Sequence, residues 1–119
     1  VSLFHPIERI QENRHDRMIH QVEILLRRDG RAADANLLAK IQENPEAMGM
    51  MRQEATVAYA RAQGIEVAAF GDQGRPFLDF IGRMIDGQVF RKFAEWVFEH
   101  KDEILELAKM IAAIIGIFA

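Results

Sequence analysis

The hydrophobic pattern is strongest over the last thirty residues. Phe90, Phe93, Val97, His100, Ile104, Leu107, Ile111, Ile114 and Phe118 follow one another at alternating steps of three and four. That spacing keeps side chains on one stripe of an α-helix. The a-like positions of the heptad are Phe90, Val97, Ile104, Ile111 and Phe118. The d-like positions are Phe93, His100, Leu107 and Ile114. Trp96, Phe98, Leu105, Ala108, Met110 and Ile115 widen the stripe beyond a two-stranded seam. No charged or polar side chain follows Lys109. A helix apolar on every side must be enclosed or sit in lipid.

Upstream, helix punctuation is frequent and strand signals are nearly absent. Pro6 suits a first helical position, and Ile7, Ile10, Met18, Ile19, Val22, Leu25 and Leu26 follow on one stripe. A polar patch from Gln11 to Arg17 interrupts that stripe, and Gly30 stops the helix after Asp29. A short second helix holds Ala33, Leu37, Leu38 and Ile41. Asn44-Pro45-Glu46 then supplies a cap, a proline at the first helical position and an acid in the first turn. The third helix carries Met48, Met51, Ala55, Ala58, Tyr59 and Ala62 and ends at Gly64.

Gly64, Gly71, Gly74 and Pro76 mark a joint, whose Ile65, Val67 and Phe70 are expected to pack down as a loop. Pro76 opens a fourth helix with Phe77, Leu78, Phe80, Ile81, Met84 and Ile85, ending near Gly87. The pattern predicts an all-α bundle of about five helices, the last one long. Residues 1–75 form an N-terminal region of three helices plus loop, and residues 76–119 a C-terminal hairpin, within one domain overall.

The long helix invites a length argument. Residues 88–118 as one helix span about 46 Å at 1.5 Å per residue. A compact domain of this size is roughly 35 Å across. The unbroken heptad predicts continuity and hence projection beyond the chain's own core. The alternative is a break at His100-Lys101-Asp102, with Asp102 as the cap of a second piece.

Composition narrows the function classes. The chain has 119 residues, half of them hydrophobic, 28% charged, and a net charge of −3. Residues 1–64 carry nine basic and nine acidic side chains, and residues 65–119 carry six and nine. That balance argues against a nucleic-acid partner, which requires a basic face. Arg27, Arg28 and Arg31 cluster locally, as expected of cations at a helix C-terminus. The absence of cysteine removes disulfides, thiolate metal sites and thiol nucleophiles. Residues 1–6 do not resemble a signal peptide, and a chain opening on Val1 is expected to have lost something upstream. The uninterrupted apolar run, Met110 to Ala119, is ten residues, against roughly 20 for a membrane span.

Candidate chemistry is sparse. Glu12 and His15 form a Glu-x-x-His pair, the spacing that di-iron bundles use twice. A second pair is missing, since His20 and Glu23 run in reverse order and Glu99 and His100 are adjacent. The pair is thus a weak metal candidate beside its ordinary reading as a solvated face. His100 sits on the apolar stripe, where a polar residue can fix register or sense pH, or can turn its polar tip to the helix edge. Gly71-Asp72-Gln73-Gly74 lacks the Gly-Lys-Ser/Thr ending of a phosphate loop. The single serine, Ser2, leaves a catalytic triad without a sensible nucleophile. Asp79, Arg83 and Asp86 have the spacing of ordinary helix-surface pairs. Met48, Met50 and Met51 suit either an adaptable surface or a core.

Burial of Met110, Ile111, Ile114, Ile115, Ile117 and Phe118 is worth roughly 9–18 kcal/mol as an upper bound. Three environments offer it: the chain's own core, a bundle shared among subunits, or one side of a membrane. The heptad favours the shared bundle. The chain is therefore expected to be a non-catalytic structural or assembly protein, without cofactor, acting as a homo-oligomer or a subunit of a larger complex. Its interaction residues are the nine of the stripe. A membrane-associated protein using residues 104–119 is the first alternative, and a metal-binding helical protein the second. The cytoplasm, or the interior of an assembly, is the expected location, with the membrane periphery as its alternative.

Overall fold

The structure is a computed structural model that describes residues 6–64 and 87–117, with side chains described for 12–64 and 88–117. It is an all-α bundle. Its helices are α1 (Pro6–Arg28), α2 (Ala32–Glu43), α3 (Pro45–Ala62), α4 (Gly87–Glu99) and α5 (Lys101–Ile115). The expected fourth helix, most of the glycine-rich joint, the Gly71–Gly74 turn and the Asp79, Arg83, Asp86 trio lie outside the described residues.

Local chemistry sets the helix ends. Pro6 is the first residue of α1, and Arg27 and Arg28 place cations in its last turn. The chain then leaves through Gly30, at φ +78°. The Arg31 amide bonds to the Leu26 carbonyl at 2.9 Å and the Gly30 amide to Arg27 at 3.2 Å. This is a Schellman closure, in which the left-handed residue must do without a Cβ clash. Arg31 precedes α2 without a side-chain cap and pairs with Asp34 at 2.9 Å. At α3 the Asn44 side chain accepts from the Ala47 amide at 3.0 Å, with Pro45 next and Glu46 in the first turn.

Each helix contributes one face to a single core. Met18, Ile19, Val22 and Leu26 come from α1, and Ala35, Leu37, Leu38 and Ile41 from α2. Met48, Met51, Ala55, Tyr59 and Ala60 come from α3, Phe93 and Val97 from α4, and Ile104, Leu105, Ala108, Ile111 and Ala112 from α5. Met48 and Met51 fill the core, and Met50 packs against it. The most extensive pairing is α1 with α2, while α5 lies on α3 and α2, and α4 lies on α3.

The final segment departs from the expected single helix. His100 has φ −114° and ψ 39°, well away from helical values, and it separates α4 from α5. Side chains add bonds to carbonyls at the break. His100 Nδ1 lies 2.7 Å from the Trp96 carbonyl, and the Lys101 ammonium donates to the Phe98 carbonyl at 3.2 Å. In an unbroken helix the Phe98 carbonyl would accept from the amide of residue 102. The residue at the cap position of α5 is His100, not Asp102; Asp102 instead pairs with Arg31 at 2.8 Å. The break removes the length conflict, because the longest dimension is 39 Å, less than the roughly 46 Å of a continuous helix.

Two substitutions test this account of the helix ends and core. Asn44→Ala is expected to lower stability by about 1 kcal/mol through loss of the α3 cap, read from urea unfolding. Among the described residues, the Thr56 hydroxyl is buried without a hydrogen-bond partner. Thr56→Val, which keeps the shape and removes that group, is expected to leave stability unchanged or raise it by about 1 kcal/mol in the same assay.

Candidate interaction surface

The residues of the heptad stripe have unequal fates. Phe93, Val97, Ile104 and Ile111 are fully buried in the chain's own core. Phe90 and Leu107 are half-buried and pack against it. His100 is half-buried at the break. Ile114 is 64% exposed, and Phe118 lies outside the described residues. Most of the stripe therefore serves the monomer, and it cannot also serve as an intermolecular seam without unfolding α4 or α5 from α3. Folding back at His100 is the physical reason.

What remains open is the outer face of α5. Asp102, Glu103, Glu106 and Lys109 are exposed along its first half, with Lys109 and Glu106 paired at 3.3 Å. Met110, Ala113 and Ile114 are exposed along its second half, Met110 at 42%. One face of one helix thus passes from charged to apolar at residue 110. The helix closes at Gly116, φ +80°, whose amide bonds to the Ala112 carbonyl at 2.8 Å. Ile115 and Ile117, on the other side, pack partly against the core. No described helix is long and apolar enough to cross a membrane.

A second feature surrounds the break. His100 stacks on Trp96, with ring centroids 4.4 Å apart and planes at 19°. A carbonyl can only accept, so the His100 Nδ1 carries the hydrogen in its contact with Trp96. Trp96 meets Tyr59 edge-on at 5.7 Å, and Tyr59 meets Phe93 at 5.1 Å. Burial pushes the Tyr59 hydroxyl pKa upward. Beside this cluster lies an open groove of about 410 Å³ lined by Ala58, Arg61, Ala62, Trp96, His100 and Glu103. A second cleft of about 480 Å³ runs between Ile117 and the Lys40–Pro45 turn.

Glu12 and His15 have separate structural roles. Glu12 lies 3.5 Å from the Arg52 guanidinium, whereas His15 is sealed in the core and stacks on Phe93 at 6.2 Å. Among the described residues, no group of three or more His, Cys, Asp or Glu side chains is placed to hold a metal ion. Arg52 also grips Asp16 with two hydrogen bonds, 3.1 Å from Nε and 2.9 Å from Nη2. This link between α1 and α3 carried no signal in the sequence, since its partners stand thirty-six positions apart. Two members of the basic cluster are likewise paired, Arg27 with Glu23 and Asn36, and Arg31 with Asp34 and Asp102, while Arg28 is exposed. Searches against family models, curated proteins and solved structures return no match.

The division of α5 into buried and open faces has a direct test. Ile111→Ala is expected to lose about 2–5 kcal/mol, as for a core isoleucine, while Ile114→Ala stays within about 0.5 kcal/mol. Urea unfolding of both variants at low protein concentration checks the contrast.

Proposed function

We propose that this chain is a non-catalytic helical association module whose contact surface is the outer face of the second half of α5. The observation that carries the reading is the exposure of Met110 and Ile114, one turn apart, on a helix whose inner face is already satisfied. Apolar side chains at that spacing give a short hydrophobic stripe, the kind of surface another helix covers. The favoured occupant is a second copy of the chain. A two-fold axis through the stripe sets the same patch against itself, so every apolar residue acquires a partner at once. Docking into a larger complex uses the same face.

The patch is small. Stable complexes bury roughly 800 Å² per partner, and two side chains supply only part of that. The expected association is therefore weak and concentration-dependent rather than obligate. This agrees with a monomer that already owns a core drawn from all five described helices.

Sedimentation velocity across a hundredfold concentration range tests the reading. The unmodified chain is expected to shift toward a dimer at the high end, and Ile114→Lys to remain monomeric while keeping its helical circular dichroism. A monomer at every concentration, combined with binding to lipid vesicles that Ile114→Lys abolishes, would replace self-association by a membrane contact. A dimer unaffected by Ile114→Lys would reject this face as the interface.

A further inference from the structure

His15 is the one fully buried histidine among the described residues. It projects from the N-terminal half of α1 and stacks on Phe93 of α4, with planes 26° apart. Phe93 in turn packs on Tyr59 of α3 and Phe90 of α4. A run of rings thus joins α1 through α4 to α3, and an ionisable one stands at its end.

The charged groups around His15 are specific. On its own helix, Asp16 Oδ1 lies 3.5 Å from His15 Nδ1. On α3, Arg52 holds both oxygens of that carboxylate and reaches Glu12 beyond it. On α4 the facing group is the uncharged Phe93 ring. Among the described residues, the carboxylate nearest to an imidazolium is therefore already committed to a guanidinium. Burial favours the neutral ring, Asp16 opposes that, and Arg52 adds to it; the balance holds the His15 pKa below its ordinary 6.5. For Asp16, burial acts upward, but hydrogen bonds from His15 and Arg52 and the Arg52 charge outweigh it and hold its carboxyl below the usual range. Asp16 thus stays ionised through mild acid, and His15 is the member of the cluster whose proton uptake is at stake there.

The sign follows from linkage. A group whose folded pKa is depressed favours the packed state above its ordinary pKa and loses that contribution as pH falls below it. An open arrangement that hydrates His15 takes up a proton near pH 6.5, whereas the packed one resists. The fold makes a partial opening accessible. α1 holds α2 far more extensively than it holds α3. Its buried Ile19, Val22 and Leu26 lie in the C-terminal half, while Glu12, Arg14, His15 and Asp16 make the described links to α3 and α4 from the other half, Arg14 over the Phe90 ring at 5.8 Å.

We propose that His15 is an acid-sensitive latch: on its protonation the N-terminal half of α1 lifts from α3 and α4 and uncovers the Phe93–Tyr59 ring surface, while α2, α3 and α5 stay folded. The device acts on a surface separate from the outer face of α5, so it stands or falls independently of the association reading.

Hydrogen exchange of the full chain, corrected for the intrinsic pH dependence of amide exchange, tests the latch. Between pH 7.5 and 5.5 the opening constant for residues 8–18 is expected to rise by up to about tenfold, the ratio set by proton uptake at a group of ordinary pKa 6.5. Core amides of α2 and α5 are expected to stay unchanged, and His15→Phe to abolish the rise. An equal rise across all helices would show global destabilisation and overturn the latch. A rise that survives in His15→Phe would overturn it too, as would no rise in the unmodified chain. Should His15→Phe fail to fold, the His15 ring resonances of the unmodified chain decide. A ring that takes up its proton over the pH range in which exchange accelerates supports the latch, and a ring that stays neutral throughout that range rejects it.

Discussion

The bundle depends on the break at His100. Without it, α4 and α5 form a rod longer than the molecule, and the buried face of α5 has nothing to lie on. With it, Ile104, Leu105, Ala108, Ile111 and Ala112 turn back onto α3 and α2 and complete the core. The break is stabilised by groups in its own neighbourhood. The His100 ring donates to the Trp96 carbonyl and stacks on the Trp96 ring, and Lys101 closes the Phe98 carbonyl. The Trp96 carbonyl also keeps its helical bond from the His100 amide at 2.9 Å, so the carbonyl that the break deprives of an amide and a side chain re-pairs is that of Phe98; leaving such a group unpaired would cost on the order of 1–3 kcal/mol.

The polar residue on the apolar stripe thus acquires a local explanation. The histidine at position 100 sits at the junction of two helices of the same chain. It ends one helix and stands at the start of the next. The ring remains half-buried because one edge serves a carbonyl and one face serves Trp96, and the groove with Arg61 and Glu103 opens beside it. The aromatic cluster, Tyr59 with Phe93 and Trp96, is the wall against which this turn is made.

Much of this was legible in the chain, and the misreadings have a common cause. The ends of α1 and the start of α3 follow from Gly30, Asn44 and Pro45, whose effects are local and stereochemical. Helix type and the large buried residues of α2 and α3 follow from periodicity, but small residues do not mark the face: Ala33 and Ala62 are exposed, and Ala35, Ala47 and Ala60 are buried in their stead. Periodicity does not report continuity, however. After the turn at His100 the helix resumes with Ile104 and Ile111 in the same three–four rhythm, so the heptad crosses a break that it cannot register. Nor does periodicity distinguish a partner's helix from the chain's own. Phe93, Val97, Ile104 and Ile111 satisfy a coiled-coil pattern and use it within the chain, in the core shared with α1, α2 and α3. The Asp16–Arg52 link was illegible for another reason. A salt bridge between α1 and α3 has no periodic signature, and each partner alone reads as a surface charge.

The same geometry separates two regions of the molecule. α1 and α5 share no extensive contact; both lie against α2 and α3. The His15 cluster sits where α1 meets α3 and α4, and the open apolar stripe sits on the side of α5 turned away from that core. Perturbations without shared partners add rather than reinforce. Covering Met110 and Ile114 then does little to the charge balance around His15, and loosening the first half of α1 leaves the bed of α5 in place. The exception is Tyr59, which touches Phe93 on one side and Trp96 on the other. Coupling between the latch and the His100 turn has two routes, through that ring on α3 and along α4 itself, which carries both Phe93 and Trp96 and ends at the turn.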